Sequence, residues 1–137
     1  MTELLTCAQM RDIERRAIES GSLTGLELME RAGQGVVDAI FAQWPELLRQ
    51  RGPAPAPPEY FGQDEGGYFS RRRAVVFCGP GNNGGDGYVV ARLLRRMGWQ
   101  VTVFAMGEAE DMPPDARVNR HRWSALGPVV SLTCAAF

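Results

Sequence analysis

Lysine is absent from this chain of 137 residues, and all 15 basic side chains are arginines. Without lysine the chain has no side-chain amine for Schiff-base chemistry, and it lacks the phosphate-binding lysine of P-loop nucleotide hydrolases. Acidic residues number 16, so the formal net charge is −1. Because nucleic acids and anionic membranes attract strongly basic surfaces, we expect neither of them as a partner.

Histidine and cysteine are also scarce. The single histidine, His121, stands between two arginines in a run typical of a solvated helix face. No carboxylate or cysteine has a spacing from His121 that would indicate a catalytic triad. The cysteines Cys7, Cys78 and Cys134 lack the paired spacing of a zinc site or of a disulfide framework. This pattern predicts reduced thiols and therefore a cytoplasmic protein.

Long apolar segments are missing as well. Charged residues interrupt the first 16 positions, which argues against a signal peptide, and no stretch approaches the length of a membrane span. The chain length and a hydrophobic content of 45% suit one domain with one core.

Two capping boxes predict two helices near the N-terminus. Thr6 with Gln9 marks the start of the first helix, and Thr24 with Glu27 marks the start of the second. Apolar residues then recur every three to four positions up to the turn at Pro45. The first helix should end at the glycine three residues before Thr24.

Prolines and glycines crowd residues 52–67, which predicts a surface loop. Its neighbouring aromatic residues leave a second interpretation open, in which they dock on a partner or over the mouth of the site. These residues are Tyr60, Phe61, Tyr68 and Phe69.

The second half of the chain predicts a βαβ unit. Ala74–Cys78 is continuously apolar, as in a parallel strand buried on both faces, and Gln100–Ala105 is predicted to be the next buried strand. Between them, Asp86–Met97 has helical spacing. We also expect a helix near 114–125 and a strand near 128–132. These elements predict an α/β fold: a Rossmann-like three-layer sandwich with a mostly parallel sheet, incomplete at its C-terminal side.

The segment from Gly79 to Gly84 reads G-P-G-N-N-G and satisfies the G-x-G-x-x-G pattern directly after the first of these strands. In that position the pattern indicates a site for a pyrophosphate or a carboxylate at a helix N-terminus. An ordinary dehydrogenase would carry an acidic residue at the end of the second strand. The nearest acid here is Glu108, further out in the loop, which argues against hydride transfer.

Side-chain oxygens of Asn82, Asn83 and Asp86 should surround the same turn, and such oxygens suit a cation or a sugar. Structural explanations remain open for each residue. Asp86 could equally be the N-cap of the next helix, and the two asparagines could simply tolerate left-handed backbone. Since two or three residues would be enough for a connection, six polar or glycine residues in a row favour a binding role.

The segment Gly79–Gly87, reading G-P-G-N-N-G-G-D-G, resembles the NAD(P)H-hydrate epimerase family, also called the YjeF-type N-terminal domain. Leu5-Thr6 with Gln9-Met10, and the segment L-M-E-R-A-G at 28–33, resemble that family in order and spacing. The resemblance covers nearly all of the chain except the proline-rich loop and about the last ten residues.

The resemblance implies a metabolite-repair isomerase that interconverts the R and S forms of hydrated NADH and NADPH. Asn82, Asn83, Gly84, Gly85 and Asp86 would contact this substrate, and Asn83 would also ligate a potassium ion. The implied functional partner is an ADP-dependent NAD(P)H-hydrate dehydratase, which in bacteria is often fused to this domain. The resemblance also allows a homodimer.

The sequence departs from the family's pattern in its last third. Family members continue into a second glycine turn, D-A-x-x-G-x-G, and a D-x-P-S-G segment, which supply the acid–base carboxylate. Neither motif is present, since Asp115-Ala116 is followed by Arg117-Val118-Asn119. We therefore expect a C-terminally truncated, partial epimerase domain over 1–137 with no assignable catalytic residue. The alternative is a catalytically inactive module that binds a nucleotide or another protein.

Overall fold

The computed structural model describes residues 4–49 and 72–132. In chain order its elements are α1 (Cys7–Glu19), α2 (Gly25–Gln43), α3 (Glu46–Arg49), β1 (Arg73–Cys78), α4 (Asn82–Arg96), β2 (Gln100–Ala105), α5 (Pro114–Ser124) and β3 (Val129–Ser131). One turn of 3-10 helix, Ala109–Asp111, precedes α5. The predicted loop at 52–67, the four aromatic residues near it and Cys134 lie outside the described residues.

Both predicted capping boxes are confirmed. The side chain of Thr6 accepts a hydrogen bond from the backbone of Gln9, whose side chain accepts one from the backbone of Thr6. Thr24 and Glu27 form the same pair of bonds at the start of α2. Gly21 follows α1 with a φ of +70°, where only glycine avoids strain. No helix in the described ranges is long and apolar enough to span a membrane.

The sheet has the order β1-β2-β3, and both strand pairs are parallel. Val76 pairs with Val103, and Val103 pairs with Val129, so one row of valines crosses the whole sheet. Helix α4 connects β1 to β2 and packs on this row through Val89, while α2 and α5 pack against α4. The predicted α/β fold with a parallel sheet is confirmed.

The opposite face of the sheet is apolar and exposed. Val75 is 55% exposed and Phe77 is 69% exposed. Phe77 stacks on Phe104 of the neighbouring strand, with the ring centroids 5.6 Å apart. Because α2, α4 and α5 lie on the Val76 face, they supply one of the two helical layers expected of a three-layer sandwich.

The start of the helix after β1 was predicted four residues too late. Helix α4 begins at Asn82 instead of Asp86, so the connection is only Gly79-Pro80-Gly81. The cause is close packing: Gly84 is so near the residue that follows β1 that a Cβ atom there would clash with the Gly79 carbonyl group. This close contact overrides the low helix propensity of the glycines. Six residues were counted in this connection from the sequence, more than a connection needs, and that count is therefore wrong.

A substitution pair tests this close packing. Gly84→Ala should destabilise the fold by about 1–3 kcal/mol or more, because the new methyl group would meet backbone atoms that cannot move aside. Gly35→Ala, in α2, is the matched control: its methyl group meets no atom within 4 Å, and it should stabilise the helix by about 1 kcal/mol. Urea unfolding measures both values. Equal stability of the two variants would contradict the packing described here.

Candidate functional site

The candidate site lies at the carboxyl edge of the parallel sheet, where the loops after β1 and β2 meet. The Met106 amide donates a hydrogen bond of 3.0 Å to the Cys78 carbonyl oxygen. At Gly107, which has a φ of +79°, a Cβ atom would lie 3.2 Å from the Cβ of Pro80. Ligands of open α/β sheets bind at this edge, so the glycine segment occupies the position that the sequence pattern predicted.

The N-terminus of α4 has no side-chain cap. Its N-cap residue is Gly81, which offers only a backbone carbonyl, and this oxygen accepts from the amides of Gly84 and Gly85 at 3.0 and 3.3 Å. The amides of Asn82 and Asn83 come earlier, and at such positions a helix provides no acceptor of its own. With the positive end of the helix dipole, these amides form an arrangement that binds anions.

The polar side chains of the predicted site share one end of α4. Asn82 and Asn83 are exposed in its first turn, and Asp86 is half-buried in the second. Residues three or four apart are neighbours on a helix, so Asp86 is adjacent to both asparagines. Sequence reasoning therefore grouped these residues correctly but placed them on a loop instead of a helix. The alternative role of Asp86 as an N-cap is wrong, because Gly81 holds that position.

Gly84 and Gly85 are on the inner side of the same turn. Both are buried, and a Cβ atom on Gly85 would lie 2.5 Å from Met29 Sδ and 2.9 Å from the Cα of Ala116. Close packing against α2 and α5 thus accounts for Gly85, as the contact with Gly79 does for Gly84. Their contact with a substrate remains a prediction from the resemblance.

Asp86 is in an unfavourable environment for a charged carboxylate. Burial raises its pKa, and repulsion from Glu14 on α1 raises it further. No sequence signal linked Glu14 to Asp86. In the described ranges, no group of three or more His, Cys, Asp or Glu side chains could hold a metal ion.

Two buried titratable residues, Cys78 and Tyr88, flank the segment Gly79–Gly87 in the sequence. Burial raises the pKa of Cys78 to about 11, so its thiol is neutral at physiological pH and poorly nucleophilic. Cys78 is 2% exposed and is a small core residue. Burial also raises the pKa of Tyr88, whose hydroxyl has no hydrogen-bond partner in the described part of the chain.

Arg120 stabilises the loop after β2 and was not predicted as a site residue. Its Nη1 donates to the Gly107 carbonyl oxygen at 3.1 Å. Its neighbours His121 and Arg122 are exposed, as the charged run predicted. Nothing in the run itself distinguishes Arg120, because its partner is 13 residues away in the sequence.

Asn119 is a second polar residue that the sequence did not mark. It is 1% exposed, and its Nδ2 donates to the Asp115 carbonyl oxygen at 3.2 Å and to Met29 Sδ at 3.1 Å. Asn119 therefore links α5 to α2 next to Gly85. Its polar side chain falls where helical periodicity predicts an apolar one.

The fold and the site together define an α/β protein of the Rossmann-like class, with a glycine-capped helix at the carboxyl edge of its sheet. A family model described as "YjeF-related protein N-terminus" matches residues 25–135. The chain belongs to this family, as the resemblance in the glycine segment predicted.

Curated relatives carry names from the same family. The chain is 52% identical to an NAD(P)H-hydrate epimerase of Rhodobacter capsulatus over 98% of this chain and 56% of the relative. It is 46% identical to an NAD(P)H-hydrate epimerase of Roseobacter litoralis over 93% of this chain and 48% of the relative. A bifunctional NAD(P)H-hydrate repair enzyme of Moorella thermoacetica is 35% identical over 90% of this chain and 19% of its own length.

A solved structure supports the fold. The crystal structure of the yeast protein ynu0 superposes with a TM-score of 0.68 and 25% sequence identity, covering 98% of this chain and 49% of the yeast chain. The chain spans about half the length of the epimerases named above and of the yeast protein.

The raised pKa of Asp86 gives a prediction for stability. The folded state holds this proton more tightly than the unfolded state, so ionised Asp86 destabilises the fold at neutral pH, and the cost vanishes below the ordinary aspartate pKa of 3.8. Asp86→Asn should therefore raise Tm at pH 7 by up to about 3 °C. The gain should disappear as the pH falls below about 4.

Thermal unfolding followed by circular dichroism between pH 3 and pH 8 measures this effect. Asp111→Asn removes the same charge from an exposed residue and controls for net charge. A lower Tm for Asp86→Asn than for the parent at pH 7 would show that ionised Asp86 stabilises the fold, against the prediction.

Proposed function

We propose that this chain provides the substrate-binding part of an NAD(P)H-hydrate epimerase, which interconverts the R and S forms of hydrated NADH and NADPH. The observation that carries the proposal is the uncapped N-terminus of α4, with Asn82, Asn83 and Asp86 on its first two turns. The names of the Rhodobacter and Roseobacter relatives support the choice of substrate.

The proposed binding mode follows from the polarity of this helix end. A dinucleotide carries a pyrophosphate, which the free amides of Asn82 and Asn83 and the positive helix end would stabilise. The Asp86 carboxylate can accept hydrogen bonds from sugar hydroxyls. Because its pKa is raised, its charge is easier to neutralise beside an anionic ligand than that of a solvated aspartate. The acid–base residue of the epimerisation stays unassigned.

Potassium is the proposed cofactor, with Asn83 as one of its ligands. The donor set fits, since the amide oxygen of Asn83 and the carboxylate of Asp86 are the hard oxygen ligands that such a cation prefers. The bound ion would supply positive charge for the phosphate oxygens of the substrate. Asn83 would hold the ion while the amides of α4 orient the dinucleotide.

The proposal extends to partners and compartment. The name of the Moorella relative, a bifunctional repair enzyme, supports cooperation with a second repair activity, for which we propose an ADP-dependent NAD(P)H-hydrate dehydratase. Free thiols at Cys7 and Cys78 favour a reducing compartment, and we propose the cytoplasm. A homodimer is the proposed assembly.

Binding of hydrated NADPH tests the proposal directly. In potassium buffer the ligand should raise the Tm of the chain, and replacing potassium with tetramethylammonium should reduce the shift. Asn83→Ala and Asp86→Ala should each weaken binding by about tenfold or more, because each removes polar contacts to a charged ligand. Gln100→Ala is the control, since it removes an exposed amide at the opposite edge of the sheet.

Chromatographic separation of the two hydrate epimers tests the reaction itself. Interconversion faster than in buffer alone would establish epimerisation by this chain. Binding that Asn83→Ala and Asp86→Ala leave unchanged would exclude the proposed site, whatever the rate of interconversion.

A further inference from the structure

A second cleft, separate from the glycine segment, lies between α2, α4 and α5. Its volume is about 710 Å³, within the roughly 300–1,000 Å³ typical of small-molecule sites. Arg92 and Arg96 of α4 line it, and they follow Asn82 by 10 and 14 residues. At about 1.5 Å per residue, they are ~15 and ~21 Å along the helix from the first site. The other lining residues are Leu26, Glu27, Glu30, His121, Arg122, Ala125 and Leu126.

Arg92 is a buried charge at the wall of this cleft. It is 6% exposed and follows three buried apolar residues of α4. Its Nη2 donates to Glu30 on α2, which forms an ion pair between the two helices. Its Nε is buried and has no hydrogen-bond partner in the described residues. Burial of an unsatisfied donor is costly, so Arg92 is a strained part of this wall that its ion pair with Glu30 helps to stabilise.

The charges at the rim leave an excess of positive charge. Glu30 pairs with Arg92, while Glu27 accepts hydrogen bonds from Thr24 and keeps its negative charge. Arg96 on α4 and Arg122 on α5 are exposed and form no ion pair with any described residue. Three arginines against two glutamates leave the lining with one net positive charge, and Arg96 and Arg122 come from different helices.

Apart from His121, the remaining lining residues are apolar. Leu26 comes from α2, while Ala125 and Leu126 follow the end of α5. Leu126 is 41% exposed. A ligand that fills the cleft can therefore bury an apolar body on these residues while its anionic group meets the arginines, which is the usual composition of a small-molecule site.

We propose that this cleft binds a small organic anion, with its phosphate or carboxylate group between Arg96 and Arg122 and its apolar body on Leu26 and Leu126. The guanidinium groups suit this role because each presents several donors to the oxygens of one anion. This site is independent of the epimerase proposal, since it shares no residue with the N-terminal end of α4.

Phenyl phosphate is the probe for this site. Titration into the full chain labelled with ¹⁵N should give saturable shifts at the backbone amides of residues 92, 96, 122 and 126 in its spectrum. Arg96→Gln and Arg122→Gln should each weaken binding by about tenfold, the effect of losing one charge-assisted hydrogen bond. Arg95→Gln is the matched control, because it removes the same charge from the same exposed turn but does not line the cleft.

Three results would overturn the proposal. Shifts confined to residues 81–86 would place the probe at the first site instead. Equal weakening by Arg95→Gln would show attraction to net charge without a specific site. Inorganic phosphate that binds as tightly as phenyl phosphate would show an adventitious ion only, with no contribution from the apolar residues. Phenol is the control for binding without the anionic group.

Discussion

The structure depends on how closely α4 approaches its neighbours. Three glycines make this approach possible: a Cβ atom on Gly84 would clash with the Gly79 backbone, one on Gly85 with Met29 and Ala116, and one on Gly33 with Val89. Each missing side chain lets the helix approach the connection after β1, α5 or α2 more closely. The helix N-terminus is thereby held at the carboxyl edge of the sheet, where its amides are available to a ligand. Packing and the candidate site thus arise from the same residues.

Along α4, the candidate binding residues are in the first two turns, and most of the stabilising burial is in the turns that follow. The first turn has no side-chain cap, and glycines at its third and fourth positions disfavour a helix in isolation. The following turns compensate, because Tyr88, Val89 and Ala91 are completely buried against the sheet and the neighbouring helices. Hydrophobic burial downstream therefore stabilises a helix end that has few stabilising interactions of its own. Asp86 adds to the local cost, since burial disfavours its charged form.

What could be predicted from the sequence was local. The capping boxes at Thr6 and Thr24 place their partners three residues away, so both helix starts were predicted correctly. The continuous apolar run at Ala74–Cys78 likewise predicted β1, and the strand predicted at Gln100–Ala105 matches β2. The start of α4 was predicted wrongly because helix propensity is a weak signal beside tertiary contacts. Glu14, Asn119 and Arg120 were missed because their partners near the site are distant in the sequence, and a pattern within one segment cannot reveal such contacts.

Under the two proposals, the two ends of α4 would bind anions by different physical means. At the N-terminus the helix dipole and the free amides of Asn82 and Asn83 favour negative charge without any cationic side chain. The C-terminus is the negative end of the helix dipole and disfavours an anion. Guanidinium groups would therefore have to supply the attraction there. Arg96 is also favoured there by the dipole itself, even before a ligand arrives. The absence of lysine fits this division, because an anion would meet backbone amides at one end and forked arginine side chains at the other.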